Sequence, residues 1–131
     1  MKPIKRKNET RTFKALQELL PQINIEREVV IREPVYDEDG VLVRHFIIVD
    51  FRFFVNGQEY QVEFDGQQHK KPVKKFGGAI AFHKQCIRDL FLKDWCKKNN
   101  INLICIDGTK HRGKKIKKYL QKQFKKMGVI K

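Results

Sequence analysis

Two carboxylates two residues apart, then a glycine, then a histidine, occur in the stretch Val62-Glu63-Phe64-Asp65-Gly66-Gln67-Gln68-His69. On an extended segment side chains alternate with a period of two, so Glu63 and Asp65 share one face with Gln61, while Tyr60, Val62 and Phe64 share the other. The stretch follows Asn56-Gly57, the strongest short hairpin signal, and a two-residue turn there pairs Val55 with Gln58. Counting outward sets Asp50 directly opposite Glu63, with Asp65 on the diagonal. Carboxylates facing each other across a ladder, with Cβ atoms about 4.5–5.5 Å apart, repel unless a proton or a cation lies between them. A divalent cation resolves the conflict. Hard oxygen donors at Asp50, Glu63 and Asp65 suit Mg²⁺ or Mn²⁺, which keep several waters and share their sites with phosphate oxygens. The alternative is an acidic strand face that is merely solvated.

The elements that must hold these residues can be read around them. Asn8 is placed to cap a helix through Leu20, with Phe13, Leu16, Leu19 and Leu20 on one side, Glu9 in its first turn and Pro21 as its stop. Residues 26–33 read as a strand, and 37–40, Asp-Glu-Asp-Gly, as a turn. A β-branched and aromatic run from Val41 to Val55 meets the hairpin turn, and a strand over 58–64 follows. Residues 66–77 form a polar loop, 78–99 a helix, 101–106 a short buried strand, and about 113–127 a final helix with Ile116, Tyr119, Leu120 and Met127 on one face. The expected order is α-β-β-β-α-β-α, an α/β fold in a single domain.

Composition says what such a site would meet. The 131 residues carry 29 Lys and Arg against 15 Asp and Glu, a formal charge of +14, and 40% are apolar, enough for one core. That excess favours polyanions, although a basic protein without enzymatic activity has the same balance. After Asp107 there is no acid, while Lys110, Arg112, Lys114, Lys115, Lys117, Lys118, Lys122, Lys125 and Lys126 follow. Lys70, Lys71, Lys74 and Lys75 lie in the loop beside the acids. Lysines that hold phosphates around an acidic metal cleft are what phosphodiester hydrolysis needs, and the alternative is a solvated charged face. His69 could move a proton to or from water or the leaving 3′-oxygen; outside such a site it is an ordinary loop histidine. Asp89 and Lys93, four apart on one helix, make an ion pair on the stripe Phe82, Cys86, Asp89, Lys93, Cys96. Cys86, Cys96 and Cys105 show no zinc or disulfide spacing and read as small core residues. No signal peptide or apolar span is evident, so a cytoplasmic protein with no membrane partner is expected.

Together, Val49-Asp50-Phe51, the stretch 62–69, Phe76-Gly77-Gly78, the segment 88–93, Trp95-Cys96 and the segment 101–106 resemble the PD-(D/E)XK nuclease superfamily over about residues 9–106. The resemblance implies a restriction-endonuclease-like core, a mixed central sheet flanked by helices, with the basic C-terminal helix outside it. The superfamily's E-x-K is Glu63-Phe64-Asp65 here, without the lysine. The pattern is more similar to the branch shared by very-short-patch mismatch-repair endonucleases and the EDxHD homing endonucleases of phages. Residue by residue, that branch's site falls on Glu9, Asp50, Glu63, His69 and Asp89. The resemblance implies that Asp50 binds metal, that the Glu63 position adds a ligand, and that His69 is a general acid or base oriented by Glu9 and Asp89. It also implies double-stranded DNA as substrate, a homodimer where both strands are cut, and a separate DNA-reading module. A junction resolvase-like nuclease and a non-cleaving nucleic-acid-binding protein on the same fold are the rival readings.

Overall fold

The computed structural model describes residues 4–66, 72, 74 and 77–131. Helix α1 (Ile4–Leu19) begins upstream of the expected cap, so Asn8 lies inside it, buried, its carbonyl accepting the Thr12 hydroxyl at 2.7 Å. The reason is the buried stripe Asn8, Thr12, Ala15, Leu16, whose helical spacing carries Asn8 inward. Strand β1 (Glu26–Ile31) follows. The apolar run from Val41 is not one strand. Its start, β3 (Leu42–Arg44), folds back on β2 (Val35–Tyr36) as a separate small ribbon, and β4 is Ile47–Val55. The turn between β2 and β3 is held by Asp37, whose Oδ1 accepts the Asp39 and Val41 amides at 2.9 and 2.8 Å.

Strand β5 (Gln58–Asp65), helix α2 (Gly78–Lys98), strand β6 (Asn102–Asp107) and helix α3 (Lys114–Lys126) complete the chain. Asn56 and Gly57 both take positive φ, 51° and 80°, as a tight hairpin demands, and Val55 pairs with Gln58. The main sheet runs β1-β4-β5-β6, antiparallel except for β5 and β6, which are parallel and joined through α2. The molecule is thus mixed α/β, with a mixed central sheet flanked by helices.

Helices α1 and α3 cover one face, where Leu16, Leu20, Ile116, Leu120 and Phe124 pack on Phe51, Phe53, Tyr60, Val62, Phe64, Ile104 and Ile106. Phe124 takes the place expected for Met127, which is 38% exposed beyond the helix end. Helix α2 covers the other face, with Leu92 and Cys96 on Ile31, Ile47 and Val49. Val49 and Phe51 have the same parity in β4 yet pack on opposite faces. In a regular strand they would share one face, so the alternation switches between them, at Asp50. Opposite Asp50 in β1 lies Glu28, whose φ of 50° departs from extended geometry, and neither ladder of β4 pairs at Asp50. No helix among the described residues is long and apolar enough to cross a membrane.

Candidate functional site

The break in the ladders turns Asp50 into a bridge. The registered pairs of β4 and β5 end at Phe51 and Val62, and the next bonds come from side chains. Asp50 Oδ2 accepts the Phe64 amide at 2.8 Å, while Glu63 Oε2 accepts the Asp50 amide at 3.3 Å. The sequence places these two acids opposite each other, and they are indeed adjacent. What relieves their repulsion is a residue the sequence reading did not single out.

Arg88 projects from α2 with Leu92 and Cys96, four residues apart on the inward stripe. Its Nη1 donates to Glu63 Oε1 and, at 3.2 Å, to Asp89 Oδ1, and its Nη2 donates to the Ile48 carbonyl at 2.7 Å. Glu63 is 4% exposed and Arg88 8%, so this is a buried ion pair. Burial pushes the Glu63 carboxyl up, Arg88 pulls it down, and the nearby Asp50 carboxylate adds to the rise; the net displacement is upward. For Arg88, burial alone would lower the guanidinium, but the hydrogen bond and charge of Glu63, with Asp89, carry it above its usual value. The guanidinium is therefore the fixed charge, and Glu63 the member that responds to pH. Where the sequence suggests a divalent cation between Asp50 and Glu63, the structure shows a cation of the protein itself, Arg88, beside Glu63. In hindsight the signal was an arginine one turn from Leu92 on an otherwise apolar stripe.

A cleft of about 70 Å³ opens between α2 and the ends of β5 and β6, lined by Glu63, Asp65, Arg88, Asp89, Leu92, Lys93, Leu103 and Cys105. Four residues expected at the site, Glu63, Asp65, Asp89 and Lys93, meet there. The expected Asp89–Lys93 partnership is displaced: Asp89 Oδ1 takes Gln85 Nε2 at 2.9 Å as well as Arg88. Asp50 adjoins the cleft through its bonds to β5. Glu9 lies half-buried on α1 and is not among the described lining residues. The cleft lies over the carboxyl-terminal half of β5 and the middle of β6, beside α2. Its rim is tightened by Gly108, whose amide donates to the Asp65 carbonyl at 2.7 Å.

Each Glu63 oxygen accepts a hydrogen bond, Oε1 from Arg88 and Oε2 from the Asp50 amide. Mg²⁺ needs only one or two carboxylates beside water and phosphate oxygens, and Asp65 on the cleft wall and Asp50 beside it are donors of that type. Among the described residues no group of three or more His, Cys, Asp or Glu is arranged to hold a metal. Burial pushes the Cys96 and Cys105 thiols up to about 12; Cys96 is a core residue as expected, whereas Cys86 and Cys105 are half-buried and Cys105 lines the cleft. His69, Lys70, Lys71 and Lys75 lie outside the described residues; Lys74 is exposed. Lys110, Arg112, Lys114, Lys115, Lys117 and Lys118 are exposed, with Arg112 Nε donating to the Gly108 carbonyl at 2.8 Å and Lys117 Nζ to Glu18 at 2.7 Å. Comparison of the chain with protein-family models, curated proteins and solved structures finds no match.

Proposed function

We propose that this chain is a metal-dependent DNA endonuclease with a restriction-endonuclease-like core, similar to mismatch-nicking and homing enzymes. The observation that carries the reading is the meeting of Asp65, Asp89 and Lys93 in one cleft, beside Asp50, in a chain of formal charge +14. Acids gathered on a protein that otherwise favours polyanions are a liability for a pure binder and a requirement for hydrolysis. Asp50 and Asp65 would hold Mg²⁺ or Mn²⁺, which supplies charge stabilisation at the phosphorus and a more acidic water. Lys93 would hold a non-bridging phosphate oxygen, and His69 would transfer the proton to the departing 3′-oxygen. Water and one phosphodiester give a 5′-phosphate and a 3′-hydroxyl. Each chain cuts one strand, and two are needed for a double-strand break.

The Glu63–Arg88 pair favours one second reading, a nucleic-acid-binding protein that does not cleave, because it removes one acid from the ligand set. Plasmid nicking with Mg²⁺, Mn²⁺ or EDTA separates the two. Nicking that needs added metal and stops in EDTA is expected. Duplex binding in EDTA with no nicking in either metal would favour the binder, and undiminished nicking in EDTA would end the metal mechanism.

A further inference from the structure

A second groove lies on the opposite face of the sheet, between α1 and α3. Its volume is about 420 Å³, and its lining includes Arg11, Lys14, Lys114 and Lys117, with Glu18 as an acid among them. Two helices that pack through Ala15, Leu16, Ile116 and Leu120 thus present cations along the seam between them. On α3 Lys114 and Lys117 line the groove, whereas Lys118, Lys122 and Lys125 are exposed and do not line it. Gly113 takes a φ of 56°, which favours glycine, and stands beside the Arg11 guanidinium. Six residues, 108–113, join this groove to the cleft rim, with Lys110 exposed among them.

Resting on the nucleic-acid reading above, we infer that the α1/α3 groove is a dedicated docking track for the phosphate backbone of a nucleic acid duplex, distinct from the general positive charge of α3. Charge complementarity and shape select this occupant: four cations on two rigid walls of a groove match a row of phosphates. A lipid surface is flat and does not enter a concavity. Glu18 opposes the function by holding Lys117 at 2.7 Å, so the track as built is weaker than its lysine count suggests.

The test compares two triple variants of the full chain with the same change in charge, in EDTA so that binding is read without cleavage. Lys14→Gln/Lys114→Gln/Lys117→Gln should weaken binding to a fluorescent duplex at least tenfold. It should also lower the slope of log K against log salt by about two to three, since each phosphate contact contributes about 0.9. Lys118→Gln/Lys122→Gln/Lys125→Gln should change affinity less than threefold. Glu18→Gln should tighten binding and steepen the slope, which keeps the inference falsifiable even if the first triple loosens α1 from α3. Equal losses in the two triples, or no gain from Glu18→Gln, would overturn the groove assignment while leaving metal-dependent nicking untouched. Tighter binding of the parent to phosphatidylserine vesicles than to duplex would also overturn it. A parent that binds no duplex would remove the nucleic-acid reading itself.

Discussion

Replacing Arg88 by methionine leaves Glu63 as an unpaired carboxylate at 4% exposure, with only the Asp50 amide, 3.3 Å away, as a described donor. Removing one partner of a buried pair costs about 3–5 kcal/mol, because the remaining charge keeps its desolvation penalty without its compensation. The Ile48 carbonyl and Asp89 lose their donor as well, but these losses are part of the same network and do not simply add. For a domain of this size the expected fall in melting temperature is on the order of 10–20 °C. Glu63→Gln should cost less, about 1–3 kcal/mol, since Arg88 keeps the Ile48 carbonyl and Asp89 as acceptors. The double variant Glu63→Gln/Arg88→Met should be more stable than Arg88→Met alone, because no buried charge is left without its partner.

The pH dependence follows from the same pair. Without Arg88, burial and the Asp50 carboxylate act on Glu63 against the Asp50 amide alone, so its folded pKa rises further above the unfolded value. A group with a raised folded pKa contributes stability that is fully present below the unfolded pKa and is lost as pH rises through the folded one. The deficit of Arg88→Met against the parent should therefore shrink from pH 8 toward pH 5, as Glu63 becomes protonated. Thermal and urea melts of the parent, both single variants and the double variant at the two pH values measure this. An Arg88→Met protein melting within about 3 °C of the parent, or single costs that simply add in the double variant, would refute the buried pair as a coupled unit.

Asp50→Asn keeps an acceptor for the Phe64 amide and removes a negative charge beside Glu63, so the metal-free variant should melt at or above the parent while losing nicking. A variant that melts several degrees lower and binds DNA worse would make Asp50 a structural residue alone. Gly108→Ala would set a Cβ 2.6 Å from the Phe64 ring and 2.8 Å from the Asp65 carbonyl, and should cost about 1–3 kcal/mol by forcing β5 and β6 apart at the cleft; an unchanged urea midpoint would show that the rim is soft. Cys96 and Cys105, with thiols pushed up to about 12, should resist alkylation at pH 8 until urea unfolds the chain. Fast modification of both in the native protein, read by mass spectrometry, would contradict the raised thiols and the burial of Cys96. Deleting 110–131 is a poor test of phosphate binding, because it strips Ile116, Leu120 and Phe124 from the core.

Local chemistry was legible in the chain. Asn56-Gly57 demanded positive φ at both positions, the turn set the pairing of Val55 with Gln58, and period-two alternation in β5 then determined which acids shared a face. Asp37 likewise announced its turn, and the ends of α2 and α3 fell within a residue or two of their expected places. Boundaries failed where packing outweighed a local signal: Asn8 is a good cap by itself, yet the stripe it shares with Thr12 and Leu16 draws it into α1. The run 41–55 split for the same reason. A β-branched stretch says that it will be extended, but not which neighbour it will pair with, and β3 joined β2 while β4 joined the main sheet. The partner of Glu63 was the least visible element. Arg88 lies 25 residues away, and its place on the stripe of Leu92 and Cys96 marks it as inward-facing without naming Glu63 as its partner. Only the docking of α2 on the sheet aims its guanidinium at Glu63, because a charge's partner in a folded protein is set by proximity in space, and sequence spacing reports proximity only within one helix or one hairpin.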